Sequence, residues 1–186
     1  MEIFMPRIQP TQNPSPKAQE QLAAVKKMLG STPNIFTTFA HSPAVLGFYL
    51  AGSGALAESS ISGGLREQIA LTVAGANHCD YCASAHTALG KMQKLAEGEL
   101  AQNLNAKSAD SKTQAALTFA RKLVDLRGNV SDEDVKAVRD AGFTDGEVLE
   151  IVAVTSLNIF TNYFNHVAGT EIDFPLVATS NVAKAA

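Results

Sequence analysis

The sequence predicts an all-α protein folded as a single domain. Three observations support this. Helix-start signals recur, with Ser15 before Pro16, Ser42 before Pro43, Ser131 before three acids, and Thr144 three residues ahead of Glu147. Ser and Thr cap the first free N–H groups, and Pro or acids suit the first turn. Glycines at 30, 128, 142 and 169 follow the apolar runs where helices would stop. No stretch alternates apolar and polar residues as a half-buried strand would.

Taken in order, residues 1–16 carry prolines at 6, 10, 14 and 16 and read as an extended arm that packs on the surface or reaches a neighbouring subunit. A helix then runs from Pro16 to Gly30, and a short one follows Pro33. Ser42-Pro43 opens a third, whose Phe48, Tyr49, Leu50 and Leu56 predict a mostly buried element. Ser62 caps the helix that carries Glu67, packed through Leu65, Ile69, Leu71, Val73 and Ala74. Gly75, Asn77 and Asp80 weaken or end it, and Asp80 caps a new helix holding Cys82, His86 and Leu89. Glu97–Leu104 is a short helix, and Ser111–Leu126 a longer one ending at Gly128. Ser131 starts the next, stopped at Gly142. A capping box of Thr144 and Glu147 opens the last long helix, to about Gly169. The domain therefore spans 17–175, and 176–186 is expected to be a loose tail.

At 186 residues the chain can bury one good core. A net charge of -3 and the absence of Trp give no electrostatic or stacking case for nucleic acid or an anionic membrane surface. Gly, Asn or charge interrupts every apolar run before membrane-spanning length, and the N-terminus lacks the apolar stretch of a secretory signal. A cytoplasmic location is the expectation. Two cysteines in such a chain point to redox or metal chemistry rather than a disulfide framework.

Shifting the chain by 80 residues lays Glu67 on Glu147, His86 on His166, Phe39 on Phe119, Ala40 on Ala120 and Leu46 on Leu126. Cys79 and Cys82 then fall on Ile159 and Asn162. The expectation is a duplicated helical unit, with halves at about 33–100 and 111–170 and the cysteines lost from the second.

The chemistry concentrates in Glu67 to His86. Both cysteines lie there as a Cys-x-x-Cys pair, His86 follows Cys82 by four residues, and Glu67 precedes Cys79 by twelve. Cysteines at i and i+3 on the first turn of a helix can form a short disulfide, and the positive end of the helix dipole favours the reactive thiolate. His86, one turn beyond Cys82 on the same face, can serve as acid, base or charge partner. Glu67 joins them only if the chain breaks near 75–78 and folds back. A zinc site is the competing reading, with His78 as a fourth ligand, but a structural zinc site usually brings a second paired motif. No metal or other cofactor is therefore expected. His166 and Asn162 read as polar core or interface residues with a possible pocket or relay role, and Tyr81 as packing or pocket lining. Apolar residues near the pair suggest a small hydrophobic pocket.

Glu67, Cys79-Asp-Tyr-Cys82 and His86 together resemble the signature of the AhpD-like alkylhydroperoxidases, within the carboxymuconolactone decarboxylase superfamily. The segment NYFNHVAGTEIDFP looks like the peroxidase-related branch, and the resemblance runs from about Pro33 to Pro175. It implies an AhpD-like helical fold, a homotrimer or homohexamer, and reduction of organic hydroperoxides through a cycling disulfide. Cys82 would be the peroxidatic thiol, Cys79 the resolving thiol, and Glu67 with His86 a proton relay. Reducing equivalents would come from a dithiol partner, protein or lipoyl, since the chain has no dinucleotide fingerprint. Tyr81 stands where the best-known members carry a His. The true decarboxylases lack the cysteine pair. Two other roles stay open: dithiol–disulfide exchange between partners, and a redox sensor whose disulfide changes assembly.

Overall fold

The computed structural model describes residues 5–182. Among them are nine helices and no strand: α1 Pro16–Leu29, α2 Asn34–Phe39, α3 Pro43–Ala57, α4 Gly63–Ala76, α5 Asp80–Met92, α6 Glu97–Asn103, α7 Ser111–Asp125, α8 Asp132–Asp140 and α9 Asp145–Ala168. The single-domain, all-α expectation holds. The caps form as their residue types dictate. Ser15, Ser42, Ser62, Ser131 and Thr144 each accept a backbone N–H of the first turn, and α8 and α9 both carry reciprocal capping boxes.

The architecture is built around α4. Gln68 to Gly75 are eight consecutive buried residues, and this helix packs against α5, α6, α7 and α9. An all-round buried helix needs neighbours on every side, and its uncharged run from Gln68 to Ala76 permits them. On one side Phe36, Phe39, Leu46, Leu71 and Leu100 form a core with the cysteines at its edge. There Phe39 lies with ring centroids 4.1 Å from Phe164, 5.6 Å from Tyr49 and 5.7 Å from Phe160. On the other side Ile69, Val73, Leu117, Phe119 and Ile151 join α4 to α7 and α9. Gly75 is required here by space, not as a helix breaker: a Cβ on it would stand 1.9 Å from the carbonyl oxygen of Leu104.

The α4–α5 corner sets up the site. His78 N–H donates to Gly75 O and Cys79 N–H to Ala74 O, a Schellman closure with His78 in the left-handed region at φ 54°. Cys79 closes α4 and, in the same residue, caps α5. With only residues 77–79 between them the two helices form a hairpin, so Glu67 comes back beside His86.

Several expectations need correction. Asp80 is the first residue of α5 and does not cap it; its carboxylate instead accepts from the N–H and hydroxyl of Thr179. The third helix is not mostly buried, since only Leu46 is fully enclosed and Phe48 is 59% exposed. The tail from 176 is not loose as far as it is described: Val177 N–H donates to Ser84 Oγ, and Thr179 and Val182 are buried. Residues 183–186 lie outside the described residues. The N-terminal arm needs no correction: from Met5 on it packs on its own chain, the first of its two expected placements, with Ile8 N–H on Ala168 O and Thr11 N–H on Thr37 O. The 80-residue register is not repeated in the elements. It would lay α3 across the end of α7, the following turn and α8, and the α4–α5 corner on the unbroken middle of α9.

Candidate active site

Four sequence-selected side chains meet at the α4–α5 hairpin. Glu67 Oε2 and His86 Nδ1 are 2.7 Å apart, with side chains 19% and 18% exposed. Cys79 and Cys82 are free thiols, both buried. Cys79 holds the cap position of α5, and Cys82 lies within its first turn, where unpaired N–H groups favour negative charge.

The two sulfurs are not equivalent. The Cys82 thiol is lowered to about 7: it accepts a hydrogen bond from Cys79, feels the charge of His86, and accepts from Asn165 and Thr161, which together outweigh its burial. Asn165 Nδ2 is 3.3 Å from Cys82 Sγ. Cys79, as the donor of that shared hydrogen bond and itself buried, is pushed well up. When the pair gives up a proton, the charge therefore rests on Cys82 rather than Cys79. For His86 burial favours the neutral ring, but the Glu67 carboxylate, Cys82 and Asn158 overcome it and raise its affinity for a proton. With Nδ1 committed to Glu67, Nε2 is the nitrogen left to exchange a proton.

A pocket of about 350 Å³ opens onto this group, and Cys82 lines it while Cys79 does not. Its walls are mainly apolar, among them Phe36, Tyr49, Leu89, Met92, Leu157 and Phe174. Tyr49 was foreseen only as packing. Its phenol faces the site, and burial followed by the nearby Glu67 pushes it up, so it stays neutral and can donate.

Of the remaining candidates, Tyr81 lines the same pocket, as one of its two expected roles had it, while Asn162 and His166 do not. Tyr81 is 5% exposed and ties elements together: its OH donates to Asp173 Oδ1 at 2.9 Å and accepts from Ile35 N–H at 3.2 Å. Asn162 is buried behind the site, its Oδ1 accepting from Asn77 Nδ2. His166 is exposed on the last turn of α9, away from the cysteines, and its carbonyl accepts from Arg7. Asn158, Thr161 and Asn165 are the residues that sequence reasoning missed. Their signal was present: Thr155, Asn158, Thr161, Asn162 and Asn165 repeat polar groups along one side of an otherwise apolar helix. Among the described residues no group of three or more His, Cys, Asp or Glu is placed to hold a metal ion.

Residues 43–125, which span α3 to α7, match the model of the carboxymuconolactone decarboxylase family. The fold is similar to an uncharacterized peroxidase-related protein with an alkylhydroperoxidase AhpD core from Ralstonia eutropha JMP134, at TM-score 0.79 and 27% identity over 89% of this chain and 93% of that one. A peroxidase-related protein from Silicibacter sp. TM1040 gives TM-score 0.78 and 23% identity, over 89% and 92%. The debrominase Bmp8, in complex with 2,3,4-tribromopyrrole, gives 0.78 and 18% over 92% and 94%, and likewise shares the fold. No curated protein matches the chain. Over residues 43–125 the chain is thus similar to the carboxymuconolactone decarboxylase family, and its fold is similar to that of AhpD-like peroxidase-related proteins.

Proposed function

We propose that the protein is a thiol-dependent reductase of organic hydroperoxides. The observation that carries this reading is the asymmetry of the cysteine pair: the thiol held near neutrality, Cys82, faces an apolar pocket, and Cys79 stands behind it as its hydrogen-bond donor. In the proposed cycle the Cys82 thiolate attacks the outer peroxide oxygen. The O–O bond breaks, a sulfenic acid forms on Cys82, and the alkoxide leaves as alcohol with a proton from His86. Glu67 holds the ring and stabilises its charge. Cys79 then attacks the Cys82 sulfur, water departs, and a disulfide closes. An external dithiol, on a protein or a lipoyl group, restores both thiols by exchange.

Self-association into a trimer or hexamer belongs to the same proposal. No charged residue occurs in α3, and Phe48, Tyr163 and Val167 leave an exposed apolar strip over α3 and α9. A monomer by sedimentation velocity removes that part.

The test is a time-resolved free-thiol count on reduced protein with one equivalent of cumene hydroperoxide. Both thiols should disappear within seconds, and Cys79→Ser should stop at a sulfenic acid on Cys82. If the thiols persist for many minutes while a small disulfide oxidises them readily, the role is thiol exchange and the peroxide reading fails.

A further inference from the structure

Besides Cys82 and the phenols of Tyr49 and Tyr81, the ionisable residues that line the pocket are Arg66, Glu67 and His86. Glu67 and His86 are engaged with each other, which leaves Arg66 as the charge without a counter-charge. Its position is built. Arg66 Nη1 donates to Ser59 Oγ at 3.1 Å and to Ile61 O at 2.8 Å, fixing the guanidinium on the loop before α4. Among the described residues no carboxylate pairs with it, and its Nε and Nη2 have no hydrogen-bond partner. A guanidinium anchored through one nitrogen, with the other two free, offers a planar donor pair to a carboxylate.

We infer that Arg66 is the carboxylate-recognising residue of the pocket, and that the substrate is an apolar monocarboxylic acid carrying its hydroperoxide at the far end. This inference rests on the hydroperoxide reading of the site and names the substrate class. The hairpin sets the spacing. Glu67 faces His86, so Arg66 lies toward the end of α5, where Gly63 stands against both Gln93 and Arg66 Nη2. From Cys82 to Leu89 is about two helical turns, about 10 Å. The acid group meets Arg66, the apolar body lies against Tyr49, Leu89, Met92 and Leu157, and the peroxide reaches the Cys82 sulfur. Burial of the hydrocarbon and pairing of the acid then both orient the O–O bond.

The probes are para-carboxycumene hydroperoxide and its methyl ester, in which a methyl group replaces the negative charge at the recognised end. In single turnover the acid should oxidise the wild-type thiols about tenfold faster than the ester, as one charge-assisted hydrogen-bonded pair allows. Arg66→Gln should bring the acid-to-ester ratio close to one, and Arg66→Lys should keep part of it. A wild-type ratio near one, or a ratio unchanged in Arg66→Gln, overturns the inference. Should Arg66→Gln fail to fold for loss of its loop anchor, the wild-type ratio and the Lys variant decide. If neither hydroperoxide reacts, the peroxide reading itself fails, and binding of octanoate against octanamide to the reduced protein decides the role of Arg66. Equal affinity then overturns it; tighter octanoate binding that weakens in Arg66→Lys upholds it.

Discussion

A thiol buried to 3% exposure would ordinarily resist ionisation, so the lowering of Cys82 to about 7 measures how strongly its neighbours hold the charge. The donors are Cys79, Asn165 and Thr161, and the charge is that of His86, whose hold on its proton Glu67 strengthens against the effect of burial. The rate of thiol oxidation should therefore rise with pH through about 7 and level off above it. Asn165→Leu removes one donor to the thiolate and should move that midpoint upward by about one pH unit. Glu67→Gln should move it the same way by a different route, because His86 then loses its proton at lower pH and no longer faces Cys82 as a cation. Rate profiles against pH for the three proteins check this, and coincident midpoints would refute it. Stability follows the same signs. Cys82, with its lowered value, stabilises the fold above the ordinary thiol range and loses that contribution as pH falls through about 7. His86, with a raised value, stabilises below the ordinary histidine range and loses its contribution as pH rises through its own folded value.

At the scale of elements, the corner between α4 and α5 depends on two residues that seem exchanged. Gly75 sits inside a helix, where its small size serves contact with Leu104, while His78 occupies a left-handed position that Gly would suit better. Gly75→Ala should therefore destabilise by about 3 kcal/mol, since α6 backbone must move away from α4. His78→Gly should be neutral or stabilise by up to about 1 kcal/mol. Urea unfolding reads both, and a harmless Gly75→Ala would show that α4 and α6 do not approach as closely as described. These two positions also mark the limit of what the sequence could reveal. Caps such as Ser42, Ser62 and Thr144 were legible because a cap bonds only to the turn that follows it. Glu67, Cys79, Cys82 and His86 were legible because one hairpin joins them, and a break between 75 and 78 was readable. The role of Gly75 was not, because it depends on Leu104, twenty-nine residues away. Asn165 was legible as part of a polar stripe, but its bond to Cys82 was not, since nothing local shows that α9 lies across that cysteine. The exposure of Phe48 was hidden too, since an uncharged helix reads as buried wherever its apolar face points.

On the scale of the whole molecule, the segment after α9 ties the active-site helix to the rest of the chain. It turns back over α5 and engages both residues between the cysteines: Asp173 takes the Tyr81 hydroxyl and Asn34 N–H, and Thr179 gives two hydrogen bonds to Asp80. Val177 adds a bond to Ser84, and Val182 enters the core that holds Cys79 and Cys82. The C-terminal residues thus hold the first turn of α5 against α2, and with it the geometry of the two sulfurs. Removing residues 176–186 deletes the Ser84 and Asp80 contacts and the buried Val182, but leaves Asp173. Hydrogen bonds to a carboxylate and one buried Val are each worth about 1.5–3 kcal/mol gross, and the entropy regained by the freed tail offsets part of that. The expected net loss is about 2 kcal/mol, seen as a fall in Tm of several degrees. The same truncation should expose Cys79, so its alkylation by iodoacetamide should accelerate while hydrogen exchange in α4 stays slow. Unchanged alkylation in a destabilised protein would mean that the segment supports the core but not the cysteine pair. Faster alkylation with local exchange confined to α5 would show that this terminal strap sets how tightly the turn that carries the cysteines is closed.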